Sequence, residues 1–474
     1  MLLDRKLHPY QNHVINLATK RMVEGKTGSG LFLEPGLGKT ICSLSIIEIA
    51  KLLSFADKTL VIAPLRVAQT VWQKEIREWG LDLKAVFVHG SKKQRFELLQ
   101  KPADIYIITS DGVCWLDEEY PDLWFDLVII DESTKFKSWT AKRTKHLRHI
   151  VKRAFHRIIL TGTPVPNTLG DIFPQHYMID LGECLGESVT KFRAQYMQQS
   201  GYEFRSWEMR KDMVEPLKEK IAPQCLYLAA RDHIKMPELI VNDISIDLPP
   251  KARKVYEDME TQLFAALEEE EEGKPLVASS AGAKYNLCRQ IANGAAYSVD
   301  EMFGSRDVVY VHSAKLEALE DLYEDLNGKQ LLVAYQFDHD LLRIRETFPK
   351  IRAINGKTSK KELQSIIDNW LIGNEGILAC QCQAMSHGLD GFQKGGSDIC
   401  WYGVTDQPEV YTQLNARLYR QGAEGGQTRI HRLIAPKTVD EAIVLRLKNK
   451  DSSQKALLDA IKEYRNAKNS PTPF

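Results

Sequence analysis

The first third of the chain alternates short β-branched runs with amphipathic stretches. Apolar runs at 59–63, 105–109, 127–130 and 157–160 predict strands, and helix-like stretches at 41–53 and 68–79 lie between them. Continuous apolar strands alternating with helices predict a parallel sheet covered on both faces. From 171 to 235 the pattern turns mostly helical, with scattered aromatics and charges. A long helix is predicted over 251–272, ending in a run of glutamates from 268 to 272. That run reads as a solvated helix face, since like charges repel and stay wet. A second alternating region begins near Gln330, with strands at 331–335, 351–354, 377–382, 399–402 and 429–433. The predicted fold class is α/β: two parallel-sheet lobes with a helical insertion between them. The boundaries fall at 1–170 for the first lobe, 171–300 for the insertion and interlobe connection, and 301–474 for the second lobe.

Composition narrows the classes. A chain of 474 residues has room for two full hydrophobic cores, and 43% hydrophobic with 27% charged residues argues against wholesale disorder. Lys plus Arg number 63 and Asp plus Glu number 63, so any nucleic-acid partner must meet a localised basic groove. No apolar stretch approaches membrane-spanning length, and the start MLLDRKLHPY lacks a signal-peptide core. No membrane role and an intracellular, cytoplasmic location (the host's cytoplasm if the chain is viral) are expected. The eight cysteines include no C-x-x-C pair, which disfavours a zinc site or a disulfide framework.

Candidate chemistry starts at Leu33-Glu-Pro-Gly-Leu-Gly-Lys-Thr40, between a short predicted strand at 30–33 and an apolar-periodic helix. Gly36 and Gly38 let backbone N–H groups approach a phosphate chain, and the helix start near Lys39 points its positive dipole end there. Lys39 would neutralise phosphates and the Thr40 hydroxyl would hold Mg²⁺. Leu33 stands where the strict phosphate-loop pattern has its first Gly. The second half is Val128-Ile-Ile-Asp-Glu-Ser-Thr134, an apolar strand ending in two carboxylates at the edge where α/β sheets bind ligands. Asp131 can bind the magnesium and Glu132 can orient and deprotonate an attacking water.

With these residues the sequence resembles the Swi/Snf-type branch of the superfamily-two helicase-like ATPases, in order from Leu7 to about Ile443. The resemblance implies two RecA-like lobes, ATP and Mg²⁺ as cofactors, and a motor that moves along double-stranded DNA. Leu7-His-Pro-Tyr-Gln11 resembles the segment in which a Gln reads adenine, which assigns Gln11. Ala63-Pro-Leu65 through Trp79 is similar to a nucleic-acid-contacting segment, while Trp72 and Trp79 read equally as core. Asp131-Glu-Ser-Thr134 departs from Asp-Glu-Ala-His in its last two positions, so the coupling contact of that His falls to Thr134 in some other form. Leu160-Thr-Gly-Thr-Pro-Val-Pro-Asn167 is close to the sensor segment that joins hydrolysis to lobe movement. The stretches 231–237, 287–291 and 313–316 also match, and helix packing explains them as well.

In the second lobe, Gln413, Arg417 and Arg420 stand at i, i+4 and i+7, a spacing that predicts one helix face. The pattern resembles the family's Gln-x-x-x-Arg-x-x-Arg, whose arginines cross to the γ-phosphate; planar guanidinium groups grip phosphate in bidentate fashion. Gly388-Leu-Asp-Gly-Phe392 resembles a segment touching nucleic acid and ATP ribose, which assigns Asp390. Ile354-Asn-Gly-Lys-Thr358 is either a plain turn or a backbone-phosphate contact. A compact chain of this kind resembles phage and bacterial versions more than large eukaryotic remodellers, with protein partners possible and the oligomeric state open. The rival readings are a strand-separating DNA or RNA helicase and a nucleic-acid-binding module that has lost hydrolysis.

Overall fold

The structure, a computed structural model, describes residues 6–162, 164, 169–200, 206–271, 278–299, 306–385, 391–444 and 447. Two compact units emerge, one spanning most of residues 6–234 and the other most of 235–447.

The first unit is built on a seven-stranded sheet. Its strands are β1 (Gly28–Leu33), β2 (Thr59–Ala63), β3 (Ala85–Phe87), β4 (Ile105–Thr109), β5 (Leu127–Asp131) and β6 (His156–Thr161). After them come a small antiparallel hairpin, β7 (Met197–Ser200) with β8 (Ser206–Met209), and a last sheet strand, β9 (Cys225–Leu228). The order is β3-β4-β2-β5-β6-β1-β9, with every pairing parallel. β2, β4, β5 and β9 are buried at every position, as continuous apolar runs require when helices cover both faces. Predicted and observed strands agree within two residues. The region 171–235 is less helical than its pattern suggests: alongside helices Ile172–Asp180, Val189–Tyr196 and Val214–Ile221 it supplies β9. Four residues carry too little periodicity to announce a strand; pairing with β1 and full burial make one.

The second unit carries a six-stranded parallel sheet of order β10-β17-β16-β13-β15-β14. The strands are β10 (Glu238–Ser245), β13 (Leu331–Tyr335), β14 (Arg352–Ile354), β15 (Ile377–Gln381), β16 (Asp398–Trp401) and β17 (Gln427–Ile434), with β11 (Ala295–Val299) and β12 (Arg306–Tyr310) forming a separate hairpin. The long helix runs Pro250–Glu271; the side chains of its acidic end lie outside the described residues. Apolar clusters cover both faces of this sheet too, one around Trp370 and Trp401, the other around Leu319 and Tyr335. None of the eight cysteines is in a disulfide, and no helix among the described residues is long and apolar enough to cross a membrane.

Candidate active site

β1, β6 and β5 are neighbours, so the turns at their carboxyl ends share one edge of the first sheet. The phosphate loop follows β1, the 160–164 turn follows β6, and Asp131-Glu132 closes β5. Gly36 and Gly38 have positive φ values of 93° and 76°, which only glycine adopts without strain. A side chain at Gly38 would also strike Gln11 Nε2 at 2.5 Å. Gln11 is therefore at the loop: its Nε2 donates to the Leu37 carbonyl at 3.3 Å and its Oε1 accepts the His8 N–H at 2.9 Å. Gly162 brings the third turn close, since a Cβ there would meet Pro35 at 3.2 Å and the Leu33 carbonyl at 3.3 Å.

Lys39 and Thr40 open the helix Lys39–Leu52, where backbone N–H groups have no helical acceptor and the dipole is positive. Lys39 Nζ donates to the Leu33 carbonyl at 3.1 Å. Glu34, within the same loop, accepts from Tyr227 Oη and from the Ala230 N–H, both at 2.8 Å, and so ties the loop to the end of β9. Asp131 is buried; burial pushes its carboxyl above the usual range, while the Lys39 ammonium pulls the other way. The indole N–H of fully buried Trp72 faces the same carboxylate without reaching hydrogen-bond geometry. Trp72 is thus a core residue, and Trp79 is half-buried at the end of its helix. Glu132 sits at φ 54°, ψ 61°, a left-handed conformation unusual for a side-chain-bearing residue. A glycine-lined loop, a cation and two carboxylates on one edge suit a magnesium–nucleoside triphosphate: Lys39 and the loop amides for phosphate, Thr40 and Asp131 for the metal.

Sequence reasoning missed Gln175. It is fully buried, accepts from Ser133 Oγ at 2.7 Å, and donates to the carbonyls of Pro164 and Asp171 at 2.8 and 2.9 Å. Its only signal was a Gln inside a short, mostly apolar helical run that also holds His176 and Asp180.

In the second unit the arginines correct the helix-face expectation. The helix Pro408–Asn415 stops before both. The Arg417 and Leu418 N–H groups reach back three residues, to Leu414 and Asn415, so the chain winds into a tight turn. Two contacts hold it there: Trp401 Nε1 donates to Asn415 Oδ1 at 3.0 Å, and Leu418 is fully buried between the arginines. Arg417 Nε donates to the Met385 carbonyl at 3.2 Å; Arg420, like Arg417, is half-buried. Asp390 lies outside the described residues, as do Thr163 and 165–168 of the sensor segment. Asn355-Gly-Lys-Thr358 is a turn closed by its own bonds, Lys357 N–H to Asn355 Oδ1 and Asn355 N–H to Thr358 Oγ1, both 2.9 Å. Lys315, from the stretch 313–316, is fully buried and pairs with Asp440 at 2.7 Å and Asn293 at 3.0 Å.

Residues 10–294 match the model of the SNF2-related domain. Protein p41 of Acyrthosiphon pisum secondary endosymbiont phage 1 is 34% identical, over 96% of this chain and 98% of its own length. The ISWI chromatin-remodeling complex ATPase ISW1 of Saccharomyces cerevisiae is 23% identical over 97% of this chain, which spans only 41% of ISW1. A solved Sulfolobus solfataricus SWI2/SNF2 ATPase core in complex with dsDNA aligns over 98% of this chain and 95% of its own, at 21% identity and a TM-score of 0.46. With the SNF2-related domain matching more than half of this chain and a relative similar over nearly its full length, the chain belongs to the SNF2-related, Swi/Snf-type helicase-like ATPases.

Proposed function

We propose that this protein is an ATP-driven motor on double-stranded DNA, hydrolysing ATP with residues of both units. The observation that carries the reading is the shared sheet edge, where Gln11, Lys39, Thr40, Asp131 and Glu132 sit on the turns of β1 and β5 or beside them. The amides of Gly36 and Gly38 and the Lys39 ammonium bind phosphate; Gln11 reads the base. Thr40 and Asp131 hold Mg²⁺, which when bound offsets phosphate charge. Glu132 orients a water and takes its proton. Arg417 and Arg420 act from the second unit, and Asp390 contacts the ribose. The family includes chromatin-remodelling ATPases such as ISW1, which supports duplex DNA as the track.

The test is ATP turnover with duplex DNA, single-stranded DNA and RNA at matched length and salt. Duplex DNA should stimulate most, and stimulation should fall steeply with salt because a neutral chain relies on a local basic groove. Equal or stronger stimulation by RNA rejects the DNA assignment. Triplex displacement without oligonucleotide unwinding marks a translocase, and unwinding marks a strand-separating helicase.

A further inference from the structure

The helix Ile172–Asp180 is buried at every residue, so each polar side chain on it needs a partner inside the protein. Gln175 has its partners. His176, the next residue, is fully buried; its ring faces the Gln224 side chain, but neither ring nitrogen reaches hydrogen-bond geometry with any partner. Its Nε2 lies 3.6 Å from Asp180 Oδ2, one turn further on and beyond hydrogen-bonding range. The helix then stops at Leu181, in the left-handed conformation at φ 59°. Asp180 accepts the N–H groups of Gly182 at 2.9 Å and Cys184 at 2.8 Å, which folds Cys184 back over the helix end. The donor atoms of His176, Asp180 and Cys184 consequently lie within 4.8 Å of one another. Gln224, just before β9, donates Nε2 to Asp180 Oδ2 at 3.1 Å, while its Oε1 is buried without a partner.

We infer that His176, Asp180 and Cys184 form a site for a divalent transition cation of the zinc type, with Gln224 Oε1 as the fourth donor. Imidazole nitrogen, thiolate sulfur and carboxylate oxygen are the donors zinc takes. The charges balance: the Asp180 carboxylate and the Cys184 thiolate match a dication, and the thiol proton leaves to solvent as the metal binds. The ion relieves both problems, giving the stranded imidazole a ligand and the Gln224 carbonyl a partner. Typical zinc distances of about 2.0–2.3 Å ask the donors to draw together by about 1 Å. Cys184 is half-exposed and donates only to the Lys220 carbonyl at 3.3 Å, which leaves an entry path on its side. The nearby Arg21 guanidinium donates to the carbonyls of Gly28 and Pro223; it feels the Asp180 charge but makes none of the carboxylate's hydrogen bonds described above.

Counting cysteine pairs misses such a site, because it uses one thiolate with the spacing His-x-x-x-Asp-x-x-x-Cys. Its effect would be to fasten the end of the Gln175-bearing helix to the segment that leads into β9. The inference is independent of the substrate assignment. A second cluster, Asp117 with His146 and His149, is the natural competitor for metal. There, however, the carboxylate is already satisfied by both imidazoles at 2.8 and 2.9 Å and by Arg153 at 3.2 Å.

The test uses the tag-free full chain, stripped with chelator, reloaded with zinc, dialysed, and counted for metal by elemental mass spectrometry. Cobalt titration, read by absorption, reports the ligands. Wild type should retain one zinc per chain; with cobalt it should show tetrahedral d–d bands and a thiolate charge-transfer band. His176→Ile suits the apolar helix, so it should keep the native circular dichroism spectrum and retain no zinc. Cys184→Ser should lose the charge-transfer band and weaken cobalt binding by more than the roughly 10–100-fold of an outer-shell change. His149→Ala should bind as wild type does. Wild type without stoichiometric zinc, zinc retained by His176→Ile, or zinc lost by His149→Ala would each overturn the site.

Discussion

Ser133 Oγ donates to Gln175 Oε1 across 2.7 Å, and the same amide reaches the Pro164 carbonyl at 2.8 Å. One buried side chain thus ties the turn after Asp131-Glu132 to the turn after β6. The family resemblance puts a His at the position of Thr134 for such coupling; Gln175 joins the same two turns from a different helix. Gln175→Leu would leave the Ser133 hydroxyl and the Pro164 carbonyl unpaired inside the protein. ATP affinity should stay within about threefold, while duplex-DNA stimulation of turnover should fall by roughly 5–30-fold, the scale of a coupling energy. Gln175→Glu keeps the acceptor for Ser133 but loses the donor to Pro164, and should fall in between. Stimulation that survives intact in Gln175→Leu would show this amide to be packing alone.

Glu132 combines a proposed chemical role with a strained backbone at φ 54°. The left-handed conformation costs a residue with a side chain about 1–2 kcal/mol relative to glycine. Glu132→Gly should therefore unfold at the same or a higher temperature, and Glu132→Gln should match wild type. Both should bind ATP and lose hydrolysis, since neither side chain can take a proton from water. Wild-type turnover in Glu132→Gln would reject the base assignment; clear destabilisation in Glu132→Gly would show that side-chain contacts outweigh the strain.

The sheets and the phosphate loop were legible because their signals are local. β2, β4 and β13 fall on the predicted residues without a shift, since an apolar run flanked by turns needs no distant partner to be recognised. Asp131-Glu132 and Lys39-Thr40 were legible by type and order. What stayed hidden depends on tertiary contact. β9 exists because β1 has an open edge; Gln175 and Glu34 acquire meaning only where other segments meet them. The arginine spacing misled for a similar reason: a period of 3.6 assumes the helix continues, and the helix ends at Asn415 in a turn.

His312, just before the helix Ala314–Asp325, is locked as a neutral ring: Nε2 pairs with the Ile291 carbonyl at 2.8 Å and Nδ1 accepts the Ala314 N–H at 3.3 Å. Burial, with Lys315 and Arg343 nearby, outweighs the Ile291 hydrogen bond and Asp440 and pushes its pKa down to about 4. A lowered histidine pKa means the unfolded chain binds the proton first. Stability is therefore full above about pH 6.5 and declines as pH falls toward 4, by up to about 3 kcal/mol for a group this well buried. His176, also pushed down to about 4 by burial, adds to the same window in both proteins compared. Urea midpoints of wild type and His312→Gln at pH 7 and pH 5 read the difference. The variant should lose less stability between the two; an equal loss would remove His312 from the account of acid sensitivity.

Arg417 and Arg420 are separated by the buried Leu418, whose carbonyl accepts from Thr428 Oγ1 at 3.3 Å. The turn is thus anchored to β17 through its middle residue, by a bond that involves neither guanidinium group. If both serve the ATP bound by Lys39, their effect belongs to turnover rather than to nucleotide affinity, because they would act on charge that develops during the reaction. Arg417→Ala and Arg420→Ala should each lower the single-turnover rate at saturating ATP and duplex DNA by a large factor, on the order of 10³ as arginine fingers do. Nucleotide titrations should move by less than about threefold. Lys should rescue poorly at either position, since a point charge cannot reproduce the planar fork that spans two phosphate oxygens. Leu418→Ala is the contrasting control: it empties core volume and should lower stability by about 2–5 kcal/mol, with any rate loss tracking unfolding. Near-normal hydrolysis in both single Ala variants would leave the two guanidinium groups as structural groups on an anchored turn, and the second unit would have to act on ATP through other residues.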